Sequence, residues 1–184
     1  MSQPPASVLS HFWAPLCAVG SHGPSGPNAQ ICVSVFGASI VPNRPRLMVI
    51  LSNTNYTTGL VANSGTLSVS VLGEGQLPLL EPLGLHSGRD GNKLAAVAHD
   101  RTSAGNPIFP GGAGWAACEV IEAISLGDST AFLVAVREKF DGAAAPLTWQ
   151  AARSVVGEEF LQRWSAKSAR EQSAAREAML WRDA

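Results

Sequence analysis

The side chains of this 184-residue chain that can do chemistry are mostly neutral donors. Ser34, Ser52, Asn53, Thr57 and Thr58 place hydroxyl and amide groups at the ends of apolar runs and at the start of a short helical stretch. Neutral hydroxyls and backbone N–H groups can satisfy a phosphate without a basic cluster, and a helix N-terminus favours an anion. Further along, Ser87-Gly88-Arg89-Asp90 and Lys93 add a forked guanidinium and an ammonium. Either cation can complete the charge of a phosphate or pyrophosphate. Each residue also has a plain structural alternative. Ser34 could make a cross-strand hydrogen bond, Asn53 could cap the helix, and Arg89 with Asp90 could shape a turn.

Other chemistries lack their residues. Cys17, Cys32 and Cys118 are widely spaced, form no C-x-x-C pair and have no basic neighbour to activate a thiolate. The four histidines, lone His86 and His99 among them, show no zinc-ligand spacing. No acid–base dyad or triad is visible, so neither a metal centre nor a catalytic side chain is expected.

Composition narrows the class further. Hydrophobic residues make up 46% and charged residues 15% of the chain, which excludes disorder. Net charge is −1, and the thirteen basic residues form no cluster of the kind that neutralises nucleic-acid phosphates. A nucleic-acid partner is therefore not expected. No run of 18 apolar residues is present for a membrane span, and no secretory leader is visible. With three unpaired thiols, the expectation is a reduced, cytoplasmic protein.

Glycine (18) and proline (12) punctuate short apolar runs, as in a β-rich chain. Strands are expected at Pro15–Gly20, Ala29–Phe36, Leu47–Leu51, Thr66–Leu72, Trp115–Leu126 and Ala131–Phe140, the last two joined by a hairpin at Gly127-Asp128-Ser129. The turn-rich stretch Ser21–Pro27 reads as a loop. Thr57–Asn63 reads as a helix closing at Gly65, and Gln76–Leu85 as a short helix broken by its prolines. After Pro146 the composition changes to Ala, Glu, Arg and Gln. Thr148 is a suitable N-cap, and Val156, Phe160 and Trp164 share one helical face. The reading is a β-barrel over residues 1–146 and a helical extension over 147–184. The extension is expected to fold back or reach a neighbour, with Met179, Leu180 and Trp181 as a second anchor.

One ordered series of motifs goes beyond composition. It runs through Asn28-Ala29-Gln30-Ile31-Cys32-Val33-Ser34-Val35-Phe36, Pro45, and Ser52-Asn53-Thr54-Asn55-Tyr56-Thr57. It continues with Ser64-Gly65, Val69-Ser70-Val71-Leu72, Ser87-Gly88-Arg89-Asp90 with Lys93, Asn106-Pro107-Ile108, Cys118-Glu119-Val120 and Gly127-Asp128. Over about Ala14 to Phe140 this series resembles the flavin reductase-like, FMN-binding split-barrel family, in particular the flavin reductase domains of high-molecular-weight rubredoxins and diflavin flavoproteins.

The resemblance implies a mainly β fold, a six-stranded Greek-key split barrel with short helices, assembled as a homodimer with FMN, or FAD, at the subunit interface. It implies hydride transfer from NAD(P)H to flavin, with reduced flavin or electrons passing to a monooxygenase or an electron-transfer protein. It places Asn28, Ala29, Gln30, Ile31 and Cys32 along the isoalloxazine. Ser34, Ser52, Asn53, Thr57, Thr58, Ser87, Arg89 and Lys93 become the other flavin-binding candidates. Two positions depart from the family pattern. Reductases of the family often carry His directly after the Gly-Asp turn, where this chain has Ser129, and nearer relatives carry a polar residue where Val33 stands. The alternatives are a flavoprotein that relays electrons without direct NAD(P)H use, and a non-enzymatic ligand-binding barrel.

Overall fold

The strictly alternating segment Thr66–Val71 sets the pattern of the fold. In the computed structural model, which describes residues 8–181, it is strand β5, with Leu67 and Val69 buried on one face and Ser68 and Ser70 on the other. Both faces of this strand are covered. The preceding strands are β1 (Cys17–Gly23), β2 (Gly26–Cys32), β3 (Val35–Gly37) and β4 (Arg46–Ser52), and the long ribbon is β8 (Gly114–Ser125) and β9 (Ser129–Asp141). They form one antiparallel sheet in the order β2-β1-β5-β8-β9-β4-β3. A two-residue pair, β6 (Asp100–Arg101) and β7 (Pro107–Ile108), lies outside it.

The sheet has seven strands, not the six expected. The continuous β-forming run Ala29–Phe36 divides at Val33-Ser34 into β2 and β3, which occupy opposite edges of the sheet. A chain can pass from one edge to the other in two residues only if the edges have come together, so the sheet is curled on itself. Ile50 of β4 records the closure: its N–H donates to Ser34 O at 2.9 Å, and its carbonyl accepts from Cys32 Sγ at 3.5 Å. The Ser21–Pro27 stretch is likewise not a wide loop. β1 and β2 pair as far as Gly23↔Gly26, leaving a two-residue turn. Buried Ser21 sustains that pairing by bonding Ser64 Oγ at 3.0 Å and donating to Thr66 O at 2.9 Å.

The alternation of β1 divides the interior. Cys17 and Val19 join Val49, Leu67, Phe132 and Val134 inside the curl. Leu16 and Ala18 point the other way, into a second cluster with Leu72, Leu80, Leu83, Leu94 and Phe109. Helix α1 (Tyr56–Ser64) closes the first cluster through Val61, and the short helix α2 (Leu80–Gly84) covers the second. Ser68 and Ser70 pin the β7 region over the sheet, Ser68 by donating to Pro107 O and Ser70 Oγ by accepting from Phe109 N at 3.1 Å.

The C-terminal extension folds back. Thr148 caps α3 (Trp149–Val155), accepting from Ala151 N at 3.1 Å, and α4 (Glu158–Arg176) follows after a break at Val156-Gly157. Leu147 and Ala152 are buried in the second cluster, and Val156 and Phe160 pack against it. Trp164 packs at a tilt against Trp149 (4.7 Å between centroids) and Phe160 (5.6 Å), while Arg163 reaches Glu81 of α2 at 2.7 Å. Met179, Leu180 and Trp181 do not form the expected buried anchor: Leu180 is 71% and Trp181 77% exposed, and the attachment there is a backbone hydrogen bond, Leu180 N to Leu126 O at 3.3 Å.

Trp164 is seated on the bare backbone of Gly84, where a Cβ would overlap the indole ring. Gly84→Ala should therefore lift α4 off α2 while leaving the sheet intact, at about 1–3 kcal/mol of local overpacking. Limited trypsin digestion should cut at Arg163, Lys167 and Arg170 on the order of tenfold faster than in the wild type. Equal cutting rates would show that Trp164 is not the latch.

Candidate functional site

Period-2 alternation puts Asn28, Gln30 and Cys32 on one face of β2 and Ala29 and Ile31 on the other. The first face carries polar groups toward α1. There, buried Asn28 donates from Nδ2 to Thr57 Oγ1 at 2.7 Å, tying the sheet edge to the first turn of the helix. Asn55 is the N-cap residue of α1 but makes no side-chain capping bond. The turn before it is self-bonded: Ser52 Oγ pairs with Thr54 Oγ1 at 2.9 Å, and Thr58 Oγ1 donates to Ser52 O at 2.6 Å.

A cavity of about 130 Å³ lies at this junction, lined by Asn28, Gln30 and residues 54–57 on one side and by residues 83–84, 86–89 and Lys93 on the other. A second space of about 240 Å³ adjoins it across Asn28, Tyr56, Gly88 and Arg89. Arg89 donates to Thr54 O at 2.8 Å and lies 5.8 Å from the centroid of the Tyr56 ring. Lys93 donates to Leu83 O (3.2 Å) and His86 O (2.9 Å). Helix α4 supplies the remaining wall with Lys167 and Glu171, which pair with each other.

Two features of this wall are unbalanced. Gln30 is 6% exposed, and its Oε1 has no hydrogen-bond partner, the one such buried side-chain atom among the described residues. An unmet buried acceptor costs about 1–3 kcal/mol. The Lys93 ammonium is pushed down to about 8, first by burial and then by the nearby Lys167 charge. Both groups would be satisfied by a ligand offering an N–H donor and an anion.

A larger cavity of about 390 Å³ lies beside Ser64–Thr66 and Cys118, but its Arg137 is paired with Glu119 at 2.8 Å. No group of three or more metal-ligating side chains occurs among the described residues.

Six of the candidates read from the sequence meet at the first cavity: Asn28, Gln30, Thr57, Ser87, Arg89 and Lys93. The others sit around it. Ala29 is fully buried in the second cluster, and Ile31 packs against that cluster. Cys32 belongs to the first cluster, Ser34 forms the corner, and Ser52 and Thr58 brace the turn before α1. Asn53 turns away from the cavity. It donates to Gly127 O at 2.9 Å and accepts from Thr130 Oγ1 at 2.8 Å, holding the hairpin turn that contains Ser129. Sequence reasoning missed Thr54, Asn55, Tyr56, His86, Lys167 and Glu171 as lining residues. The first three fall within the quoted motif; Lys167 and Glu171, on a polar helix, give no sequence signal of facing a cavity.

A curled antiparallel sheet with an unpaired edge strand, a helix N-terminus and cations around one cavity defines a β-barrel with a polar, cation-lined site at its sheet edge. The family model for the flavin reductase like domain matches residues 9–156, and the chain belongs to that family of oxidoreductases. Among solved structures, it is similar to an FMN-binding protein from Thermus thermophilus with bound p-hydroxybenzaldehyde, at 28% identity over 77% of this chain and 79% of that one, TM-score 0.65. It shares its fold with an NADH:FAD oxidoreductase from Streptomyces globisporus (21% identity, 75% of this chain and 89% of that one, TM-score 0.66). It also shares it with nitrilotriacetate monooxygenase component B from Mycobacterium thermoresistibile (21% identity, 73% and 72%, TM-score 0.63). No curated protein sequence matches the chain.

The thiols stand apart from this chemistry. Burial pushes Cys17 and Cys118 up to about 12 and Cys32 to about 11. Thiolate is the reactive form, so at pH 8 the folded protein should resist a thiol reagent, with all three groups labelled after unfolding. Rapid labelling of Cys32 in the native state would show that β2 opens.

Proposed function

We propose that the protein binds a flavin nucleotide, FMN or FAD, at the edge of β2 and passes hydride from NAD(P)H to it. The observation that carries this reading is Gln30 Oε1, a buried acceptor left unmet beside a cavity that also holds Arg89 and Lys93. The residues present fit the group. β2 pairs only with β1, so the outer side of this edge strand offers backbone donors and acceptors to a flat heterocycle. Gly88 brings its backbone so close to Asn28 and Tyr56 that no Cβ would fit, which permits close approach at the cavity wall. The N-terminus of α1 with Arg89 and Lys93 suits the phosphate.

Bound flavin supplies the hydride-accepting ring. The chain's own part is to orient and exclude water: Gln30 accepts a ring N–H, Asn28 and Thr57 hold the sheet edge against α1, and Lys93 and Arg89 neutralise the phosphate. Hydride transfer between stacked rings needs orientation rather than an acid–base pair. That requirement suits a site without one.

The 130 Å³ cavity and the 240 Å³ space that adjoins it together reach only the lower end of the roughly 300–1,000 Å³ of ligand pockets. This supports a homodimer in which a second copy completes the site. The exposed Ile121, Ile124 and Phe140 of the β8–β9 ribbon offer it an apolar contact surface. A monooxygenase or an electron-transfer protein would take the reduced product, in a cytoplasmic setting; no helix among the described residues is long and apolar enough to cross a membrane. Ser129 favours a second reading, reduction by a protein partner, because it places a small hydroxyl, donating to Asp128 Oδ1 at 3.4 Å, where family reductases often carry an imidazole.

Protein titrated into FMN should quench flavin fluorescence with a Kd in the micromolar range, roughly −8 kcal/mol. Gln30→Leu should weaken flavin binding on the order of tenfold while leaving the flavin-free protein as stable or about 1 kcal/mol more stable, since it removes an unmet acceptor. Binding of neither FMN nor FAD would refute the reading. Separately, Ser129→His should lower KM for NADH in a flavin-reduction assay. Activity with protein reductants alone, in both forms, would favour the second reading.

A further inference from the structure

The family-matched segment ends at residue 156, yet the cavity does not. Lys167 and Glu171 enter it from α4. Around the cavity stand three cations, Arg89, Lys93 and Lys167, and one carboxylate, Glu171, a net of two positive charges from these four groups. A phosphate monoester carries a charge of about −1.5 to −2 at pH 7. Lys93 uses two of its three donors on the Leu83 and His86 carbonyls, and no carboxylate pairs with it among the described residues. Lys167 is 24% exposed in its side chain and is held by Glu171, one turn along the same helix. Its charge contributes to the fall in the Lys93 pKa, so the two ammonium groups repel each other across the cavity. On the facing side of the cavity the buried Gln30 Oε1 has no hydrogen-bond partner, an independent observation that points to a ligand.

We infer that Lys167 of the C-terminal helix is the second half of a phosphate subsite, closing with Lys93 on the terminal phosphate of the bound flavin nucleotide. Glu171 holds the Lys167 ammonium at the wall while the subsite is empty and shares it with the phosphate when the nucleotide binds. The inference rests on the flavin-binding reading and adds a specificity residue to it: α4 makes the site select the phosphorylated flavin over riboflavin.

The test is a fluorescence titration of the full chain with FMN and with riboflavin, beside KM values for NADH and NADPH. Lys167→Met should weaken FMN binding about tenfold, the effect of losing one charge-assisted contact at a partly exposed site, and leave riboflavin binding unchanged. Lys167→Arg should restore FMN affinity. Glu171→Gln should raise FMN affinity two- to fivefold by freeing Lys167, again without effect on riboflavin. Matching losses for FMN and riboflavin in Lys167→Met, or FMN affinity lost equally in Glu171→Gln, would make the pair a structural brace and overturn the inference. So would an effect confined to KM for NADPH, which would assign Lys167 to the nicotinamide nucleotide. Wild-type protein that binds FMN and riboflavin equally would overturn the inference and leave flavin binding standing, whereas binding of neither would overturn both.

Discussion

The structure depends on a two-residue step. Val33 and Ser34 carry the chain from one edge of the sheet to the other, and that step forces the sheet to curl until β2 and β3 are neighbours in space. The hydrogen bonds of Ile50 to Ser34 and Cys32 close the curl with backbone and thiol rather than with a continuous ladder. Because the closure is made at the end of β2, the rest of that strand keeps an unpaired outer side. An exposed sheet edge is ordinarily a liability, open to pairing with another chain. Here α1, α2 and the segment Ser87–Lys93 stand around it, so the edge becomes the wall of a cavity rather than a template for aggregation. The position of the site follows from the way the barrel closes.

The same geometry explains why the cavity wall is energetically poor. Asn28 and Gln30 lie on the face of β2 that also carries Cys32 into the apolar interior, so period-2 alternation delivers amides where a core would take Val or Ile. Asn28 is compensated by Thr57, but Gln30 is not. Lys93 is held by carbonyls that satisfy its donors without balancing its charge. The anionic heterocycle proposed for this cavity would recover both terms. The surrounding frame tolerates the cost because β1 and β5 are covered on both faces, with two apolar clusters sharing the sheet.

Much of this was legible in the sequence. The alternation of Thr66–Val71, the helix closing at Gly65 and the Gly127-Asp128 hairpin all carry short-range signals that tertiary structure did not override. The split of Ala29–Phe36 was not legible, because β-propensity runs unbroken through Val33 and a corner leaves no periodicity of its own. Ser21–Pro27 misled for the opposite reason: its composition is that of a loop, but buried Ser21 is hydrogen-bonded to Ser64 and Thr66 and Pro27 pairs with His22 near the turn. The motif from Ser52 to Thr57 located one wall of the site, yet Asn53 within it serves the hairpin. Lys167 was beyond reach. A salt-bridged i,i+4 pair on an Ala-rich helix has the pattern of a solvated face, and only Trp164 resting on Gly84 turns that face toward Lys93.

The C-terminal extension thus does two jobs with one helix. Its aromatic residues, Phe160 and Trp164, hold it to α2 through apolar contact. One and two turns further on, Lys167 and Glu171 face the cavity. A polar helix gains little stability alone, so its docking must be supplied by the aromatic end. Position therefore comes from packing and chemistry from the charges, and the two can vary separately. A chain of net charge −1 still places three cations, Arg89, Lys93 and Lys167, around one cavity. The positive charge around the cavity accordingly comes from the docked helix and the loop it covers, not from the composition of the chain.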